Sequence, residues 1–246
     1  MELADAVRGR KMVRSFTGDP LPDDVLESIL AAACQAPSAG NTGGWDAVVL
    51  VGSGQTAAFW NATTTEDWRR RSRRWPALSK AAAVVALFVD PEAYPARYRQ
   101  PDKRSAGGVA GGGVAGGGVA GGGVAGGGVA GGGVAGGGVA GEDVGVGVAG
   151  EDLGAGTGSW PVPYWFVDGG FAALLMLLSA TDAGVGACFL GNFRGEPALR
   201  LALGVPDDRR YVGAVVLGAA AEHDPPSASL ARGRRQPREV LHRGGW

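Results

Sequence analysis

The chain has 246 residues, a formal net charge of −1 and a pI near 6.1, so no global positive charge draws it to nucleic acid or an anionic membrane, and any phosphate site must be local. Its 46 glycines far exceed average usage; most of the excess sits in residues 106–158, and the remainder is enough for one substantial α/β core. Two cysteines, Cys34 and Cys188, stand in apolar surroundings without metal-ligand spacing, so both are expected as reduced core residues of a cytoplasmic protein.

Met1 is followed by Glu2 and Asp5 without an apolar run, so no signal peptide is expected. Leu3 and Val7 predict a short first helix that runs into Arg8, Arg10, Lys11 and Arg14, after which Phe16 returns to the core. Residues 22–35 predict a clearer helix. Leu21 is placed as a staple, Asp23 and Asp24 suit the positive first turn, and Val25, Ile29, Leu30 and Ala33 recur at helical spacing. Pro37 ends it. Residues 46–51 (DAVVLV) read as a strand between Gly44 and a Gly52-Ser53-Gly54 turn. A polar, Trp-rich helical region follows. Residues 82–89 (AAVVALFV) have the continuous apolar character of a central strand buried on both faces.

From residue 111 to residue 140 the unit GGGVA repeats without error six times. One valine per five residues buries too little apolar area to offset the ordering entropy of glycine, so a flexible insert at about 106–158 is expected. Solenoid repeats are longer and carry turn chemistry. Order is expected to return at Trp160. Residues 165–184 are apolar all round (FAALLMLLSA), which predicts a long helix in the middle of the molecule. The most apolar part, residues 171–178, is too short to span a bilayer and follows Asp168, so no membrane partner is expected. Strands at 187–193 and 211–217, a helix at 196–203 and an extended tail with Pro225, Pro226 and Pro237 complete the chain. This order indicates a single α/β or α+β sandwich domain over residues 1–246, interrupted by the insert; a buried central helix is unusual for a doubly wound sheet.

Three segments are candidates for chemistry. Arg10-Lys11-Met12-Val13-Arg14 is a basic cluster in a loop; guanidinium groups hold phosphate through paired, charge-assisted hydrogen bonds, although alone the stretch also reads as solvated surface. Residues 36–45 (APSAGNTGGW) break a helix and enter a strand with small residues, which let a flat ligand approach the backbone while Ser38 and Asn41 add side-chain hydrogen bonds. Arg232, Arg234 and Arg235 form a second basic cluster near the other end of the chain. Both clusters make sense together if they converge on one phosphate.

These segments resemble the nitroreductase family. Arg10-Lys11-Met12-Val13-Arg14-Ser15-Phe16 is similar to the family's opening, where basic residues precede Phe. Ala36-Pro37-Ser38 with Asn41 and Trp45 resembles its second motif, Gly184-Val185-Gly186 leading to Leu190-Gly191 its third, and Arg234-Arg235-Gln236-Pro237 its C-terminal phosphate motif. The motifs come in the family's order. The resemblance implies an α+β sandwich, with a mainly antiparallel sheet surrounded by helices, one of them long and buried, and a C-terminal arm exchanged in a homodimer. It implies FMN, with Arg10, Lys11, Met12, Arg14, Arg234 and Arg235 around the phosphate. Pro37, Ser38, Ala39 and Asn41 would line the flavin, and Gly186, Leu190 and Gly191 would bring backbone donors to the ring. The implied activity passes electrons from NAD(P)H through FMN to a small electron-poor acceptor, a nitroaromatic or a quinone, in two half-reactions, with no catalytic side chain required. Three positions depart from the pattern: Met12 stands at a small hydroxyl residue's place, Ala39 at a serine's and Gly43 at a glutamine's. Residues 98–103 and 160–165, which flank the insert, resemble stretches of actinobacterial-type members.

Other readings compete. A flavin-binding protein without turnover fits the same motifs. Gly52-Ser53-Gly54-Gln55-Thr56-Ala57 fits a dinucleotide fingerprint, but the acid closing the next strand, Asp90, lies much later than the roughly 20 residues a ribose-binding acid requires. Residues 68–75 pack five arginines between Trp68 and Trp75, which suits stacked bases and phosphates or, more simply, a solvated helix anchored by its tryptophans. His223 and His242 lack partners at metal spacing, and no nucleophile elbow is present, so neither a metal site nor a hydrolase is expected.

Overall fold

The computed structural model describes residues 1–72, 75, 77–104, 162–192 and 194–246. The repetitive insert expected at 106–158 and the return of order at Trp160 lie outside the described residues.

Helix α1 spans Leu3–Gly9 and α2 Asp23–Ala33. In α2, Leu26, Ile29 and Ala33 are buried at spacings of three and four, and Leu21, just before the Pro22 N-cap, joins the same core cluster as Leu26 in the staple position. Strand β1 covers Trp45–Val51 and β2 Ala83–Val89; between them lie α3, Gly52–Thr63, and α4, Glu66–Arg71. After β2 come α5, Ala93–Tyr98, and α6, Pro101–Arg104; then α7, Tyr164–Asp182, β3, Gly186–Leu190, α8, Glu196–Leu203, and β4, Arg210–Gly218.

The strands form one sheet in the order β1-β2-β4-β3, with every neighbouring pair antiparallel. All seven residues of β2 are buried, as its uninterrupted apolar run predicts for a strand covered on both faces. Alternate side chains serve opposite layers. Ala83, Val85, Leu87, Val215 and Leu217 pack with α2 and α7, whereas Val84, Ala214, Val216 and Cys188 pack with α3 and α8. The chain is thus an α+β sandwich of helices on both sides of an antiparallel sheet.

Several expectations need correction. Gly52-Ser53-Gly54 opens α3 rather than forming a separate turn. The antiparallel β1–β2 pair also removes the dinucleotide reading, which needs parallel strands joined by a crossover. Cys34 is exposed, because it caps α2 outside the stripe that faces the sheet, while Cys188 is buried in β3. Strand β3 stops at Leu190, short of the 187–193 expected, beside a stretch of β4 where the register skips Val212 between Gly213 and Tyr211. Helix α7 is buried on one face only: Trp165, Asp168, Ala172, Met176 and Ala180 lie inside, whereas Phe166, Val167, Phe171 and Leu174 are exposed. At 19 residues α7 is also longer than the apolar segment read from sequence, and by length and composition it meets the requirement for a membrane span. Its inner face nevertheless packs on α2 and all four strands.

Candidate functional site

The basic stretch after α1 lies along the outer edge of β3. Val13 N–H donates to the Ala187 carbonyl (2.8 Å), and Phe189 N–H donates to the Met12 thioether sulfur (3.4 Å). Met12 therefore uses its sulfur on the strand, the place where a small hydroxyl residue would leave a donor for a ligand. The Arg14 guanidinium donates to the Met12 carbonyl at 3.0 Å. Arg10, Lys11 and Arg14 have no carboxylate ion-pair partner among the described residues, so their positive charge is available to an anion. Approach to the strand is close enough to require glycine: a Cβ on Gly186 would stand 2.9 Å from the Gly218 carbonyl oxygen and 3.0 Å from Val13 Cγ1. Just past Leu190 and Gly191, the Asn192 Nδ2 is buried without a hydrogen-bond partner among the described residues. The structure thus holds the stretch that carries Arg10, Lys11 and Arg14 against β3, through Met12 and Val13, at Gly186, Ala187 and Phe189.

The second segment lies at the opposite edge of the sheet. Pro37, Ser38, Ala39 and Asn41 precede β1, and Ala39–Asn41 form a 3-10 turn. Ser38 Oγ accepts from Gly43 N–H at 2.9 Å, and Thr42 Oγ1 donates to the Ala39 carbonyl at 2.5 Å. The turn is tied to the body twice. Ala39 N–H donates to Asp168 Oδ2 of α7 (2.9 Å), the same oxygen that accepts from the Tyr94 hydroxyl of α5 (2.7 Å). Arg97 Nε donates to the Gly40 carbonyl at 3.0 Å, while its two terminal nitrogens grip Asp102, each at 2.7 Å. That grip holds the Asp102 carboxyl below its ordinary range. Burial, reinforced by the hydrogen bond to Asp168 and by its charge, pushes the Tyr94 hydroxyl above its ordinary value, so it stays a donor.

At the C-terminal end the structure does half of what the two basic clusters suggest. The start of the tail meets the basic stretch: Thr17 N–H donates to Ala219 O, Ala221 N–H to Ser15 O, and Arg14 N–H to Asp224 Oδ1 at 3.0 Å. Farther on, every residue from Ala228 to Trp246 is exposed. Arg235 donates to the Glu239 carbonyl within the tail, and no hydrogen bond or ion pair among the described residues joins Arg234 or Arg235 to residues 10–14. Within the arginine-rich segment the described helix is α4, Glu66–Arg71, with Arg70 paired to Glu66 and Arg71 to Asp67; Trp68 and Trp75 are in edge contact and pack on the core, and residues 73 and 74 lie outside the described residues. No group of His, Cys, Asp or Glu suited to a metal occurs among the described residues.

Sequence reading missed Asp168, Tyr94, Arg97 and Asn192. Asp168 had a visible signal: it is an acid inside an apolar helical pattern, and it is 2 % exposed in the fold. A buried carboxylate must find donors, but which loop supplies them depends on tertiary packing.

The family model described as "Nitroreductase family" matches residues 7–107 and 162–219. No curated protein matches the chain. Among solved structures, the chain is similar to a nitroreductase family protein of Streptococcus pneumoniae TIGR4, at 17 % identity and a TM-score of 0.61, over 98 % of this chain and 100 % of that one. It is also similar to a nitroreductase family protein of Clostridium difficile 630, at 12 % identity and a TM-score of 0.59 over the whole of both chains. A third likeness is to a putative nitroreductase from Desulfovibrio desulfuricans in complex with FMN, at 17 % identity and a TM-score of 0.57, over 100 % of this chain and 98 % of that one. At these identities the likenesses carry the fold, while the family match covers more than half of the residues; the chain belongs to the nitroreductase family.

Proposed function

We propose that the protein is a cytoplasmic, homodimeric FMN-dependent oxidoreductase that takes electrons from NAD(P)H and gives them to a small electron-poor acceptor of the nitroaromatic or quinone class. The observation that carries the reading is the unpaired cationic stretch Arg10, Lys11 and Arg14, pinned to β3 at a glycine-lined edge. These residues fit a phosphate, and the amide of Asn192 together with the open space beside Gly191 fits a flat polar ring. Bound FMN would supply the hydride and electron transfer; the chain's part is to hold the phosphate with Arg10, Lys11 and Arg14 and to present donors from residues 186–192.

A second copy completes the site in this proposal. The β3 edge and the 36–45 turn flank a four-stranded sheet, about 14 Å apart at the usual strand spacing, so one copy supplies Pro37, Ser38, Ala39 and Asn41 to the other's β3 edge. The uncovered apolar face of α7, with Phe166, Phe171 and Leu174, provides a surface for that pairing, and the exposed tail would carry Arg234 and Arg235 across to the partner. The two free thiols accord with a reducing compartment. Residues 1–246 form one domain in this proposal, and deletion of residues 111–140 should leave FMN binding intact.

The test is a visible spectrum of the purified, FMN-supplemented protein under anaerobic conditions, before and after NADH or NADPH. Retained flavin that bleaches supports the enzyme. Retained flavin that neither nucleotide bleaches makes this a flavin-binding protein without turnover, and a colourless protein that binds oligonucleotides in a salt-sensitive way returns the arginine-rich helix to first place.

A further inference from the structure

Asp168 is the one charged residue facing inward from the apolar helix α7, and no cation pairs with it among the described residues. A single oxygen, Oδ2, accepts from both the Ala39 backbone and the Tyr94 hydroxyl. The segment it holds is left-handed at three positions. Gly40 and Asn41 are consecutive left-handed residues, at φ 65° and 54°, and Gly43 is a third at 60°. Asn41 adopts that region at a cost that surrounding structure must outweigh. Above Gly40 there is no room for a side chain, since a Cβ would stand 2.8 Å from the Tyr98 ring. Within the turn the inward groups are satisfied: Ala39 N–H by Asp168, the Gly40 carbonyl by Arg97, the Ser38 carbonyl by Asn41 N–H and the Ala39 carbonyl by Thr42. What remains toward solvent is the exposed Asn41 amide and the Ser38 hydroxyl hydrogen, whose oxygen already accepts from Gly43.

We propose that Asp168 is the positioning residue of the candidate site: its carboxylate, with Tyr94 as the second donor, locks residues 38–43 in the left-handed turn that presents Ser38 and Asn41 to a flat, hydrogen-bonding ligand ring. The inference rests on the reading of this turn as part of the flavin site. Asp168 itself touches no ligand. It acts by raising the fraction of molecules whose turn is already competent, and apparent affinity falls in proportion when that fraction falls. Charge-assisted hydrogen bonds are the stronger kind, so an uncharged isostere holds the turn less well than the carboxylate does.

The experiment compares Asp168→Ala, Asp168→Asn and Tyr94→Phe with the unmodified chain. The first readout is amide hydrogen exchange without added FMN. The expected result is faster exchange confined to residues 36–45, greatest for Asp168→Ala and least for Tyr94→Phe, which keeps the carboxylate–Ala39 bond. The second is FMN titration followed by visible circular dichroism. Weakening by about tenfold or more in both Asp168 variants, with a changed dichroic band for the flavin that still binds, is expected. Exchange at 36–45 that stays at the unmodified level in Asp168→Asn overturns the proposal. So does exchange that rises uniformly through the sheet, which marks a role in overall stability alone. Should Asp168→Ala not fold, Asp168→Asn and Tyr94→Phe answer the same question. If the unmodified chain takes up no FMN, the flavin reading fails by itself, while the exchange data still decide whether Asp168 sets the turn.

Discussion

Substituting Gly186 by alanine probes the link between the sheet and the basic stretch. Gly186 faces Gly218 across the β3–β4 pair, and a methyl group there would sit 2.9 Å from the Gly218 carbonyl oxygen and 3.0 Å from Val13 Cγ1. Strand β4 is interior and paired on both sides, whereas β3 is an edge strand, so β3 and the segment hydrogen-bonded to it through Val13 must give. Overpacking of this size costs about 1–3 kcal/mol, and at about 2–4 °C per kcal/mol for a chain of this length the melting temperature should fall by about 2–12 °C. Displacement of Val13 also shifts Arg10, Lys11 and Arg14, and charge-assisted hydrogen bonds weaken steeply with poor geometry, so FMN affinity should drop by about tenfold or more. Differential scanning fluorimetry and fluorescence-quenching titration measure the two effects. Gly54→Ala is the control: it lies in α3 with nothing within 4 Å of the added methyl, and it should leave affinity unchanged and stability equal or higher. If Gly186→Ala matches the unmodified chain in both measurements, the contact between β3 and the basic stretch does not shape the site.

Arg10→Ala should weaken FMN retention on gel filtration by about tenfold or more, whereas Arg71→Ala, exposed and paired with Asp67, should leave it unchanged; equal retention in both removes the phosphate assignment. Phe171→Asp or Leu174→Asp, on the exposed face of α7, should convert a dimer to monomers by light scattering and lower FMN binding with it, and a dimer that persists unaltered would assign that face another role. Of the two thiols, Cys34 should react promptly with Ellman's reagent and Cys188 only on unfolding. Burial pushes the Cys188 thiol from 9.0 up to about 11, so the folded state keeps a proton that the unfolded chain releases. The resulting stabilisation, about 2–3 kcal/mol, is complete below pH 9 and lost as pH rises toward 11; urea titrations across that window should show the loss in the unmodified chain and a smaller one in Cys188→Ala.

Much of the fold was legible because its signals are local. An uninterrupted apolar run marks β2 as central, the residues of α8 were readable to both ends, and Ile29 and Ala33 were read correctly on the inner face of α2, where Leu26 is buried in place of the partly buried Val25 and Leu30. The site was legible in part. Arg10–Arg14 and the Gly186 segment stand out by charge and by glycine, but Asp168 reads as a lone acid in a helix until Ala39 and Tyr94 are placed beside it. Cys34 misled because its neighbours in sequence are apolar, although its own position on α2 faces solvent.

Period, punctuation and charge in the sequence were sufficient to set the main helices and strands and their order, and to single out short segments as candidates for ligand chemistry. Only the tertiary structure decided that Arg10–Arg14 shares an edge with Gly186–Leu190 while Pro37–Asn41 stands at the other edge, that α7 leaves one apolar face uncovered, and that residues 228–246 are all exposed. The reason is that helix and strand formation depends on neighbours a few residues apart, whereas the order β1-β2-β4-β3 arises from pairings between segments far apart in the chain, whose register depends on packing both faces of the sheet at once.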